Sequence, residues 1–164
     1  MRSVQSLPEK ICSLEEIKKQ VTRWRLKAKK IVFTNGVFDI LHEGHIASLA
    51  EAAGYGDMLI VGVNSDASVK RLKGPSRPVN NEQSRSLLLA SLVMTDAIVL
   101  FEEDTPLDLI KAIMPDVLVK GGDYTIEQIA GAKEVLANGG SVKLAAIIDG
   151  ISTTAIIQRM KKHP

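Results

Sequence analysis

Five short, continuous apolar runs separated by stretches rich in helix formers constrain this chain more than any other feature. They cover residues 31–34, 58–63, 97–101, 117–119 and 142–148, with little of the apolar–polar alternation of a half-exposed strand. Runs of this length without alternation are the pattern of strands covered on both faces. The segments around them predict helices over 43–54, 81–93, 105–113, 131–138 and 152–162. A further helix starts at the capping box Ser13-Leu14-Glu15-Glu16 and runs toward Ala28. Thr105-Pro106 starts another with a cap followed by proline, and Pro115 marks its end. Strand–helix alternation of this kind implies an α/β fold: a single-domain open parallel sheet with helices on both faces. Residues 1–30 read as an N-terminal helical extension and 31–164 as the main body of one structural domain, for which 164 residues suffice. Ligand sites in such sheets lie at the carboxyl ends of the strands.

Composition narrows the function. Net charge is +2 and aromatic residues make up 4% of the chain, which argues against a long polyanion partner and against base-stacking platforms. Lys27, Lys29, Lys30, Lys70, Arg71 and Lys73 could form a basic stripe, but that balance disfavours a nucleic-acid module. One cysteine, Cys12, excludes an intrachain disulfide and a cysteine-based metal cluster. No apolar stretch is long enough to span a bilayer and the N-terminus lacks a signal core, so a cytoplasmic chain without membrane contact is expected. Leu87, Leu88, Leu89, Leu92, Val93 and Met94 make a very apolar helix. Burial within the monomer is the favoured reading of it, and a homo-oligomer the other.

Four polar clusters fall just after the predicted strands. The first, Thr34 to His45, contains Thr34-Asn35-Gly36 and then His42-Glu43-Gly44-His45. Two imidazoles three residues apart share one helical face. Gly44 is expected to remove a side chain where a ligand approaches closely. Backbone N–H groups at a helix N-terminus favour phosphate. The second cluster is Lys70-Arg71-Leu72-Lys73, the third Lys120-Gly121-Gly122-Asp123 and the fourth Ser152-Thr153-Thr154. Taken singly, each has an ordinary reading as a cap, a solvated helix face or a turn. Recurring in order at successive strand ends, they point to one shared phosphate site. A lysine about 4 Å from one phosphate charge contributes roughly 4 kcal/mol at an effective dielectric of about 20. Residues 70–81, with Gly74-Pro75, Pro78 and several cations, read as a mobile loop.

These motifs resemble the nucleotidyltransferase superfamily marked by His-x-Gly-His, over residues 31–160. Within it the chain is most similar to the adenylyltransferase domain that makes ADP-activated heptose for bacterial surface polysaccharide. The carrying stretches are residues 33–45, 63–74, 77–80, 101–106, 119–124 and 149–154. Related cytidylyltransferases carry an arginine at the start of the last motif. Ile147 stands there in this chain, which counts against cytidylyl transfer.

The resemblance implies a Rossmann-like sheet and a reaction of ATP with a sugar 1-phosphate, giving ADP-sugar and pyrophosphate. His42 and His45 would donate to the α- and β-phosphates, and Lys73 would hold the sugar phosphate, with Lys70, Arg71 and Arg77 as weaker candidates. Gly44 would belong to the nucleotide site. Thr34, Asn35 and Gly36 would also belong to the nucleotide site, and backbone groups around Val37 and Phe38 would line the α-phosphate. Lys120, Gly122 and Asp123 would sit toward ribose and base, and Ser152, Thr153 and Thr154 would bind the β- and γ-phosphates. Mg²⁺ would be held largely by phosphate oxygens. Asp39 reads equally as an outer-sphere metal contact or a structural turn residue. Many relatives fuse this domain behind a sugar kinase, so the resemblance implies a separate kinase as a pathway partner. The alternatives are a cytidylyltransferase for a polyol or amino-alcohol phosphate and a non-catalytic nucleotide-binding subunit.

Overall fold

A computed structural model describes residues 7–122, 124–146 and 150–162 of the chain. The described strands are β1 (Ile11–Cys12), β2 (Ile31–Gly36), β3 (Met58–Asn64), β4 (Ala97–Phe101), β5 (Val117–Gly121) and β6 (Ser141–Ala145). They form one sheet in the order β1-β4-β3-β2-β5-β6, and every pairing is parallel. The helices are α1 (Leu14–Leu26), α2 (Glu43–Ala53), α3 (Asp66–Lys73), α4 (Glu82–Ala90), α5 (Leu107–Ile113), α6 (Ala132–Ala137) and α7 (Thr153–Lys162).

Apolar runs without alternation become strands because both faces are covered. Ile31, Phe33, Ile60, Val99 and Leu118 pack with Ile17, Val21 and Trp24 of α1, with Ile110 and Ile113 of α5 and with Val135 of α6. On the opposite face Val32, Leu59, Val61, Ile98 and Val119 meet Leu49 and Ala52 of α2 and Leu89 and Ala90 of α4. Successive strand residues alternate between the two cores, as the twofold strand period requires. The amino ends of the strands are tied by carboxylates: Ile31 N–H donates to Asp116 at 2.7 Å and Leu59 N–H to Asp96 at 2.8 Å. The chain steps from β2 to β3 and β4 on one side, then crosses to β5 and β6 on the other. The order therefore reverses beside β2, and a crevice opens there at the carboxyl ends.

Several expectations change. The N-terminal stretch is not helical throughout. Ile11–Cys12 adds an edge strand beside β4, and α1, with both halves of its Ser13–Glu16 capping box formed, carries Ile17, Val21 and Trp24 into the core. The helix expected from 105 begins at Leu107, with Pro106 in the cap position and no side-chain cap. Residues 70–81 do not behave as one loop. Lys70–Lys73 ends α3, which Ser65 caps by accepting from Ser68 N–H at 3.2 Å. The rest is pinned at several points, described below. On α4, Leu89 and Ala90 are buried but Leu87 and Leu88 stay about half exposed, so the helix is not wholly absorbed by the monomer. Residues 147 and 148, expected to complete β6, lie outside the described residues.

Candidate active site

At the carboxyl end of β2 the chain turns through Phe38, whose φ is +51° and whose ring is buried in the core. Here Asp39 is 1% exposed, yet it is fully partnered. Its carboxylate accepts from Arg77 Nε at 2.6 Å, from Val79 N–H at 2.8 Å and from Asn80 N–H at 2.8 Å. Burial alone would raise the pKa of this carboxyl, but the N–H groups of Asn80 and Val79 and the Arg77 guanidinium outweigh it and hold it below its ordinary value. Asp39 thus serves as the clasp between the loop after β2 and residues 77–80, which is its structural reading. The same clasp contradicts a freely mobile loop.

The histidines follow at the start of α2. His42 occupies the cap position without a side-chain cap bond, and His45 lies in the first turn. Their rings stack with centroids 3.8 Å apart and planes 19° apart, and the Phe38 ring meets His45 edge-on at 5.2 Å. The Nδ1 atoms of both rings are buried without a hydrogen-bond partner. Burial, and then the charge of His42, push His45 down to about 4, against the pull of the Ile40 carbonyl. His42 is also pushed down, by burial, against the carboxylate of Glu43. Both are therefore neutral at pH 7, each with one N–H to donate and one nitrogen to accept. Gly44 leaves room for the His42 ring, since a Cβ there would lie 3.1 Å from His42 Nδ1.

A cavity of about 350 Å³ brings the first, second and fourth sequence clusters together: Val37, Phe38, His42, His45, Lys73, Arg77, Ser152, Thr153 and Thr154 all line it. Ser152 caps α7 by accepting from Ala155 N–H at 3.1 Å, which leaves its own O–H free to donate. The Thr153 hydroxyl donates to the Ile40 carbonyl at 3.4 Å. A second cavity, of about 330 Å³, shares Val37 and Lys73 and continues over Asn35, Gly36, Lys120 and Tyr124. A larger groove of about 690 Å³ lies beside β1 and the start of β4, away from these clusters and from the carboxyl ends.

The remaining predicted residues divide. Thr34 is buried within β2 and lines neither cavity. Gly122 bends the end of β5 with φ +127°, and a Cβ there would come within 2.7 Å of the Tyr124 ring. Arg71 lines neither cavity; it bonds Asp104 at 2.9 Å and the Glu102 carbonyl. Lys70 is exposed on α3 and lines neither cavity. Asp123 lies outside the described residues.

The model of the cytidylyltransferase-like family matches residues 33–159, which takes in every one of these clusters. The chain belongs to that family of nucleotidyltransferases. It is 54% identical to the bifunctional protein HldE of Caulobacter vibrioides over 151 residues, 92% of this chain and 31% of that protein. With the HldE protein of Klebsiella pneumoniae the identity is 56% over 152 residues, 93% of this chain and 32% of that protein. The chain thus spans about a third of the length of these curated relatives. Among solved structures, the lipopolysaccharide core biosynthesis protein from Thermoplasma volcanium shares 32% identity at a TM-score of 0.58, over 73% of this chain and 97% of that one. A pantoate-beta-alanine ligase from Francisella tularensis, complexed with beta-gamma ATP and beta-alanine, has a TM-score of 0.59 at 15% identity and shares the fold. It covers 92% of this chain and 76% of that one.

One residue that frames this candidate site escaped sequence reasoning. Arg85 of α4 has no solvent exposure. Its Nε donates to the Asn80 carbonyl at 3.1 Å and its Nη1 to the Val37 carbonyl at 2.6 Å. Its Nη2 donates to the Asn64 carbonyl at 2.8 Å and to Asp66 at 2.7 Å. One guanidinium therefore joins the loop after β2, the end of β3, the first turn of α3 and the 74–81 segment. Five donors in a rigid fork suit this task as no other side chain does. An arginine in a helix reads from sequence as a surface residue, and only the apolar neighbours Leu87 to Ala90 hinted otherwise.

Proposed function

We propose that the chain is an adenylyltransferase that joins ATP to a sugar 1-phosphate, heptose 1-phosphate in the first instance, and releases ADP-sugar and pyrophosphate. The observation that carries this reading is the stacked, neutral His42–His45 pair on the same cavity as Lys73, Arg77 and the Ser152–Thr154 start of α7. Ile147, at the place of the cytidylyltransferase arginine, and the HldE relatives support the adenylyl and heptose parts.

The reaction needs little chemistry from the protein. A sugar phosphate is already a nucleophile at neutral pH, so catalysis reduces to positioning and charge stabilisation during in-line attack on the α-phosphorus. His42 and His45 donate to phosphate oxygens as charge moves onto the leaving pyrophosphate. Ser152, Thr153 and the N-terminus of α7 receive the β- and γ-phosphates. Lys73, on the wall common to both cavities, faces the junction of nucleotide and acceptor. Among the described residues no group of three or more His, Cys, Asp or Glu could hold a metal ion, and Asp39 is already occupied. Mg²⁺ would come with the substrate as Mg·ATP, held largely by phosphate oxygens.

Direct transfer predicts inversion at phosphorus when a chirally labelled ATP is used with heptose 1-phosphate. Retention would demand a covalent nucleotidyl-enzyme and would overturn the in-line mechanism.

A further inference from the structure

The second cavity has its own electrostatic character. It lies between the ends of β2, β3 and β5, the C-terminus of α3 and the residues before α5. Two lysines reach it from opposite sides in sequence, Lys73 from α3 and Lys120 from β5. Lys120 donates to Asn35 Oδ1 at 3.4 Å and lies 5.6 Å from the centroid of the Tyr124 ring. Among the described residues neither lysine has a carboxylate partner within ion-pair distance. Burial, and then the charge of Lys73, push the Lys120 pKa down. Two like charges on one partly dry cavity are unfavourable until an anion lies between them.

The rest of the lining mixes apolar residues, Leu72, Pro106 and Ile129 among them, with polar groups that can meet hydroxyls. Asn64 spends its Nδ2 on Ser68 Oγ, 3.0 Å away, which leaves its side-chain Oδ1 to accept. Gln128 accepts from Thr125 N–H at 3.0 Å through Oε1, which leaves its amide N–H groups open. Asp104, although bonded to Arg71, also lines the cavity and can accept from a hydroxyl. Open amide donors and acceptors around a cation pair suit a phosphorylated polyhydroxy compound. A nucleobase carries no charge to answer a pair of ammonium groups, whereas a phosphate does. The shared Lys73 places an anion held here beside the histidine cavity, on the side from which an incoming phosphate can attack.

We propose that Lys120 belongs to the acceptor rather than the nucleotide, clamping the sugar phosphate together with Lys73 while Gln128 reads a sugar hydroxyl. This rests on the histidine cavity being the triphosphate site. It moves Lys120 away from the ribose and base.

The test is titration calorimetry of the chain and its Lys120→Met variant, with heptose 1-phosphate, inorganic phosphate and ATP as separate ligands. The expected result is a loss of roughly 10- to 100-fold in affinity for heptose 1-phosphate and a comparable loss for inorganic phosphate. ATP affinity should stay within about twofold. Lys120→Arg, which keeps the charge, should retain most of the sugar-phosphate affinity. Gln128→Ala should weaken heptose 1-phosphate but not inorganic phosphate. A Lys120→Met variant that loses ATP and keeps heptose 1-phosphate would return the lysine to the nucleotide site and overturn the proposal. Failure of the wild-type chain to bind ATP would defeat the function proposed above, while the sugar-phosphate titrations would still read the clamp directly.

Discussion

Arg85→Met is the perturbation that most sharply separates a frame from a bystander. Methionine keeps most of the side chain's length and removes all four donated bonds. The Asn64 carbonyl is bonded in a fully buried setting, so leaving it unpaired costs about 1–3 kcal/mol. The Val37 and Asn80 carbonyls are partly buried, and water recovers some of their loss. Asp66 keeps 29% side-chain exposure and can be rehydrated. The sum is about 3–5 kcal/mol, the scale for removing one partner of a buried ion pair. In a chain of 164 residues that lowers Tm by roughly 6–20 °C at about 2–4 °C per kcal/mol. Urea unfolding followed by circular dichroism measures it, with an unchanged m-value showing that the unfolded state is not the cause. The folded fraction should also lose catalysis, because the Val37 carbonyl anchors the loop that leads to His42. A displacement of about 1 Å can cost about 10²-fold. Arg85→Lys, a point charge without the fork, should fall in between. A loss below about 1 kcal/mol would refute the idea that one guanidinium holds the four segments together.

Three further outcomes follow from the site. His45→Ala should lower kcat by about 10²- to 10⁴-fold, the range for a positioned catalytic group, and unchanged turnover would remove it from the mechanism. Folded His45 sits near 4 against its ordinary 6.5. Between those values the unfolded chain takes up a proton that the fold refuses, so stability is full above 6.5 and falls as pH drops through that window. The urea midpoint should decline from pH 7 to pH 5, less steeply in His45→Gln, and identical slopes would contradict the neutral assignment. Asp39→Asn leaves three N–H donors facing an amide, and should cost roughly 2–4 kcal/mol and speed hydrogen exchange at Val79 and Asn80; unchanged protection there would show that the clasp does not hold the segment.

The sheet was legible because each central strand is covered on both sides, so its whole run had to be apolar. β1 was not: two residues, Ile11 and Cys12, make no run, and their strand character comes from pairing with Ile98 and Val99. α3 was missed because it is eight residues long and mostly polar, with Ser68 and Val69 as its buried members. The site clusters could be read as a set because the topology requires polar groups after parallel strands to converge. What each side chain does there could not be read the same way. Arg71 and Lys73 are two residues apart on one helix, yet one bonds Asp104 and the other faces the cavities. Asp39 was undecidable from sequence, since its partners Arg77, Val79 and Asn80 are brought to it by the tertiary fold.

Pyrophosphate release tests the central claim most directly: the chain with Mg·ATP and heptose 1-phosphate, each anomer in turn, beside the same mixtures with CTP. The account predicts release with ATP and one anomer, none with CTP, and loss of the signal in His45→Ala. Release with CTP and not ATP would contradict it and place the chain among the cytidylyltransferases.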